Sequence, residues 1–246
     1  MPATNRGSET DQFVCGVDGC RAGWVAVRRN QARNSHELSI WPRFADLITS
    51  FGPSTAALLV DMPIGLPDQR RRACEKMARD HLKPKRHASV FPSPMRPMLA
   101  FDTYAEANRR GKNLGPGHGL PKQTWMLMPK IRELDAILKP PDQKWIGEGH
   151  PELAFCRLNQ NVPCAHPKKT TEGQSERREL LLNHGINNTD DLIEKAKDLA
   201  QAQVGIDDVY DACALALAAE ARLDRTALCL TDGAIDARGL KMEIWG

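Results

Sequence analysis

Four aspartates stand where carboxylates can do metal chemistry. Asp18 follows the apolar run QFVCGV of residues 12–17, and Asp61 closes AALLVD at 56–61. Each precedes a glycine- or proline-rich break, and strand ends of that kind are where open α/β sheets bind ligands. Asp208 and Asp211 lie three apart in a helical stretch and so project from one side of it, with Asp207 and Asp211 an alternative pair at i, i+4. Paired strands run about 4.8 Å apart, so two such acids can share a cation or a metal pair. Hard carboxylate oxygens suit Mg2+ or Mn2+ and leave coordination positions open for water and phosphate oxygens, as phosphodiester hydrolysis requires.

Each acid also has a simpler use. Asp18 can be a turn residue in VDGC, Asp61 can accept backbone bonds before Met62-Pro63, and Asp207 and Asp208 can cap a helix. Asp211 fits that reading least. A cap satisfies only the first turn, and an acid beside a buried apolar helix is costly without a partner.

Other residues add to the candidate set. In EGHPE, Glu148, His150 and Glu152 would share one side if the extended backbone persisted, giving an extra metal or general-base site or, equally, a loop hydrogen-bond cluster. Lys168 and Lys169, followed by Arg177 and Arg178, suit phosphate oxygens or transition-state charge, although any one of them can be a solvated helix entrance. His150, Cys156, Cys164 and His166 match no closed zinc pattern. VDG at 17–19 resembles one D-x-G phosphate loop, but no second D-x-G follows a later strand, and TDG at 231–233 reads as a turn.

The elements that must position these residues are legible in outline. QFVCGV and WVAVRR (24–29) form a hairpin across DGCRAG, ELSIWP (37–42) adds a third strand, and FADLITSF (44–51) has helical spacing. AALLVD is a compact strand broken by MPIGLP. Residues from 68 to about 140 read as a large, mostly helical insertion carrying loops, before a fifth strand in KWIGE at 144–148. Helices follow at ELAFCRLN, at ERRELLLNHGI closed by Gly185, and at DDVYDACALALAAEARL (207–223), which is apolar nearly all round and so expected to be buried. This is the element order of an RNase H-like α/β sheet, with the first and fourth strands side by side.

Composition bounds the rest. The 246 residues are 41% hydrophobic and 26% charged, the makeup of a globular protein; residues 1–11 are expected to be a disordered tail and 12–246 a single domain. The net charge of +3 does not diagnose nucleic-acid binding, but residues 70–87 hold eight Lys/Arg against two acids and could track a phosphate backbone or simply be an exposed face. There is no apolar run long enough for a membrane span and no secretory leader, so a cytoplasmic location is expected. Seven scattered cysteines form no CxxC pair and suggest no disulfide framework.

A set of motifs spans residues 13–245: GVDGCRAGWVAV, VDMPIGLPD, CEKMAR with SVFPSPMRP, QTWMLMPKIRELD, EGHPELAF, KKTTEGQSERRELLL and DDVYDACALALAA. Together they resemble the domain-of-unknown-function 429 family, described as predicted nucleases of RNase H fold. The resemblance implies an RNase H-like core, with Asp18, Asp61 and the terminal-helix acids at the positions where that superfamily carries metal ligands. The expected function is thus a Mg2+- or Mn2+-dependent nuclease. The alternatives are a non-catalytic module binding nucleic acid or protein, and an enzyme acting on a small phosphorylated metabolite.

Overall fold

The structure, a computed structural model, describes residues 12–200 and 203–246; the stretch expected to be a disordered tail lies outside them. Strands β1 (Phe13–Cys20), β2 (Gly23–Asn30) and β3 (Ser35–Trp41) form an antiparallel meander. After helix α1 (Phe44–Phe51), strand β4 (Thr55–Val60) returns parallel to β1, and the short β5 (Ile146–Glu148) lies parallel to β4. The five strands make one mixed sheet in the order β3-β2-β1-β4-β5. The hairpin turn is only Arg21-Ala22, so Asp18 is inside the ladder, paired with Val25, and not in a turn as VDGC allows.

Period-two alternation divides the sheet into two buried faces. Cys15, Val17, Trp24, Ala26, Leu58, Val60 and Ile146 face α1 and helix α4 (Lys122–Ile137). Val14, Val25, Val27, Leu38, Ala57 and Leu59 face helices α5 (Pro151–Leu158), α6 (Thr171–Asn183), α7 (Thr189–Ala200) and α8 (Ile206–Leu223). Gly185, at φ +88°, takes the left-handed conformation that stops α6.

The connection between β4 and β5 carries α2 (Ala73–His81), α3 (Tyr104–Leu114) and α4. Its helical tendency is as expected, but α4 is part of the core. Ile131, Leu134 and Leu138 are buried against the sheet, and each such side chain contributes roughly 1.5–3 kcal/mol. Polar contacts fix the docking: Glu133 accepts from Trp24 Nε1 (3.1 Å) and from the Phe44 amide at the start of α1 (2.5 Å), and Lys130 Nζ donates to Gly23 O (2.5 Å). A two-stranded ribbon of β6 (Cys229–Leu230) and β7 (Ile244–Trp245) packs with α2 and α5. Among the described residues no helix is long and apolar enough to cross a membrane.

Helix α8 is buried at every residue from Val209 to Ala219, and it lies directly on β1. A Cβ at Gly16 would stand 2.0 Å from Ala212 O and 2.3 Å from Ala216 N, so the backbones meet only because position 16 has no side chain. Gly16→Val should therefore lower unfolding stability by at least about 3 kcal/mol in urea denaturation. Gly117→Ala, where a Cβ meets nothing within 4 Å, carries only the strain of its positive φ and should cost about 1 kcal/mol.

Candidate functional site

Alternation and register bring the acids together. Asp18 has the parity of Val14 and Gly16, and Asp61 that of Ala57 and Leu59, so both belong to the α8 face. Val17 pairs with Val60, and the Asp61 amide donates to Val17 O (3.0 Å), which sets Asp18 and Asp61 side by side just beyond the parallel ladder. The close seat of α8 on β1 brings Asp211, Asp208 and these two strand-end acids to one cavity of about 580 Å³.

Lys168, from the loop between α5 and α6, reaches into the cluster. Its Nζ stands 2.5 Å from Asp211 Oδ2 and 3.6 Å from Asp207 Oδ2. Asp208 combines two of the expected roles, since it lines the cavity while its Oδ2 accepts the Gly205 amide at the start of α8 (2.8 Å). Asp18 Oδ1 accepts from the Gly19 amide (2.7 Å), whereas the Asp61 carboxylate accepts no hydrogen bond from the described residues.

The site carries more negative charge than its surroundings neutralise. Burial, reinforced by Asp61, Asp211 and Asp208, holds the Asp18 carboxyl well above the usual carboxylate range. Burial pushes Asp61 up to about 6 and Asp211 to about 7, although the Lys168 ammonium pulls both back. Asp208 is also raised, mainly by burial. Burial would lower Lys168, but the carboxylates of Asp211, Asp18 and Asp61 outweigh it and keep the ammonium charged.

The EGHPE residues separate. β5 ends at Glu148, and Pro151 begins α5, so the extended backbone that would put 148, 150 and 152 on one side does not persist. Glu148 has the parity of Ile146, on the opposite sheet face from Asp61. Both of its oxygens are held by buried Arg72, at 2.6 and 2.7 Å, and Oε2 also accepts from the Ile64 amide (2.8 Å). Glu152 is anchored at Oε1 by Arg177 (2.5 Å), while its buried Oε2 has no partner. His150 Nδ1 is likewise buried without a partner, and burial lowers its pKa, favouring the neutral ring. All three residues line the cavity.

The basic run is dispersed. Arg71 donates to the carbonyls of Ser93 and Gly119, Arg72 is interior, and Lys76 and Lys83 pair with Asp80. Lys85 and Arg86 line the cavity together with Lys169. Sequence reasoning did not single out Arg72 and Glu75 as supports, nor the wall formed by Ser89, Val90, Phe91, Pro92 and Ser93. The signal for the wall was the motif SVFPSPMRP, in which Phe91 precedes prolines at 92 and 94.

The donor set has the chemistry of a hard divalent cation: several carboxylates sharing one ammonium, with an excess of negative charge that a cation would relieve. As placed, no group of three His, Cys, Asp or Glu side chains among the described residues is set to hold a metal ion, and the cation in contact with the cluster is Lys168.

Fold and site together define an α/β protein with a mixed five-stranded sheet and an acid-lined cavity at its parallel strand ends. The family described as "Protein of unknown function (DUF429)" matches residues 16–234, and the chain belongs to it. A comparison with curated proteins and one with solved structures each found no match.

Two outcomes follow. A carboxyl raised in the folded state adds stability that is fully present below its unfolded value and lost as pH rises through the folded one. With Asp211 at about 7 against 3.8, unfolding free energy should fall between about pH 4 and 7 by up to about 4 kcal/mol from this group, Lys168 remaining charged throughout. Asp211→Asn should flatten that slope in urea titrations at stepped pH. Arg72→Met, which strands the buried Glu148 carboxylate, should cost about 3–5 kcal/mol in the same assay.

Proposed function

We propose that the chain is a divalent-metal-dependent phosphodiester hydrolase of RNase H-like fold. What carries the reading is the convergence of Asp18, Asp61, Asp208 and Asp211 on one cavity with Lys168 among them. The sheet order, with an antiparallel meander and β4 parallel to β1, supports the fold assignment.

Asp18, Asp61, Asp208 and Asp211 would hold Mg2+ or Mn2+, which when bound supplies Lewis acidity at a phosphate oxygen and acidifies water. The chain's own groups do the rest. Lys168 offers a positive charge to the non-bridging phosphate oxygens, where charge develops as water attacks phosphorus and the ester P–O bond breaks. Its ion pair with Asp211 and Asp207 fixes the ammonium in place beforehand. His150, kept neutral by burial, would take or return a proton. Glu148, saturated by Arg72, positions the Ile64 loop and takes no part in proton transfer.

One observation favours a second reading, hydrolysis of a small phosphorylated compound by the same residues. The site is a cavity of ligand size, lined by residues 88–93 and by Thr124, Leu127 and Ile131 of α4.

Incubation with DNA, RNA, hybrid and small phosphodiester substrates should show cleavage that depends on Mg2+ or Mn2+ and is abolished by a chelator. Asp18→Asn and Lys168→Met should each lower kcat by about 100-fold or more. Equal activity of the wild type and Asp18→Asn would overturn the assignment.

A further inference from the structure

The lining of the cavity is of two chemical kinds. Asp18, Asp61, Asp211 and Lys168 are charged, whereas Val90, Phe91, Pro92 and Leu127 are apolar. Phe91 is 41% exposed, whereas Met126 and Ile235, also exposed, do not line the cavity. A lone exposed aromatic residue is ordinary on a surface. Here it is held in place. The Val90 amide donates to His87 O (3.4 Å), Thr124 Oγ1 to Pro92 O (2.9 Å), the Ser93 amide to Glu75 Oε1 (2.9 Å) and Arg71 Nη1 to Ser93 O (3.0 Å). Bonds to the backbone on both sides of Phe91 hold this segment of the cavity lining in place.

Around the same cavity, Lys85, Arg86 and Lys169 add positive charge. The fitting ligand is anionic at one end and flat and weakly polar at the other. At about 580 Å³ the cavity is the size of a small-molecule site. A sugar phosphate offers Lys168 a charge but Phe91 nothing flat to stack on, and a base inside a duplex already has both faces covered by its neighbours.

We propose that the cavity takes a single nucleotide unit, its phosphate at Lys168 and its base stacked on Phe91; this rests on the phosphoester reading above. Such a unit can come from a free nucleotide or from the unpaired end of a strand, and the chemistry recognised is the same.

Calorimetric titration of the full chain in Mg2+ tests this with AMP, ribose 5-phosphate, inorganic phosphate, an oligonucleotide with an unpaired terminal nucleotide and its blunt duplex. AMP should bind at least about tenfold more tightly than ribose 5-phosphate, since stacking on an aromatic ring is worth that much or more. Phe91→Ala should erase the difference while leaving ribose 5-phosphate unchanged, and Phe91→Trp should retain it; thermal melting of both variants reports folding. Tighter binding of the unpaired end than of AMP, or the reverse, assigns the source, and either order supports the site. Equal binding of AMP and ribose 5-phosphate, equal losses in Phe91→Ala, or preference for the blunt duplex would overturn it while leaving the phosphoester reading intact. If no phosphorylated probe binds, that reading falls and the inference with it.

Discussion

The contact between Gly16 and the backbone of α8 sets the geometry on which the rest depends. Most helices on sheets are held off by side chains at both surfaces, but here a Cβ at position 16 would collide with Ala212 O and Ala216 N. Small residues at Ala212 and Ala216, one turn apart on the side that meets Gly16, let the helix sit low on β1. The consequence reaches the N-terminal end of α8, where Asp211 is carried into the same cavity as the strand-end acids. The helix dipole favours Asp207 and Asp208 in the first turn but helps Asp211 little, because the effect fades within that turn. Lys168 fills the need that the dipole leaves.

A second constraint is how the interior distributes its cations. Arg72 binds Glu75 and Glu148, and Arg177 binds Glu152, so these three carboxylates are held by two buried guanidiniums. Buried pairs of this kind are weak evidence for net stability, since desolvation offsets most of the attraction. Their effect is to fix loops: Glu148 holds the Ile64 amide, next to the cavity-lining Met62 and Pro63, and Glu75 holds the Ser93 amide, two residues from Phe91. On the α8 face, by contrast, several acids share one lysine. Sheet parity makes the division, because Glu148 follows Ile146 and Asp61 follows Leu59.

Much of this was legible in the residues. The apolar runs marked all five strands of the sheet, α1 matched its expected range of 44–51, and the all-round apolar helix is the buried α8. Asp18, Asp61, Asp208 and Asp211 were legible because an acid closing an apolar run, or following one helical turn into a buried helix, conflicts with its surroundings. Other features depend on distant partners and leave no local trace. Asp18 belongs to the ladder because the hairpin turn is tighter than DGCRAG suggests. Glu148 reads like a site acid until Arg72, 76 positions away, closes on it. Helix α7 lies in a polar stretch whose buried Leu192, Ile193 and Ala196 are few, and α4 hides its core role behind a mixed pattern with Pro129 in its interior.

The excess of carboxylates then bears on why the sequence retains them. A core need not place four acids at one cavity, and apolar residues of similar size would relieve the desolvation that raises Asp18, Asp61 and Asp211. Local conflict with the fold is what functional sites leave behind in otherwise consistent sequences. Nor is the conflict diffuse: burial raises Asp61, and Glu152 has a buried oxygen without a partner, both lining the cavity. Positive charge arriving from outside would relieve the repulsion and release the protons that now limit it, so occupancy of the site and stability of the fold are linked through the same carboxylates.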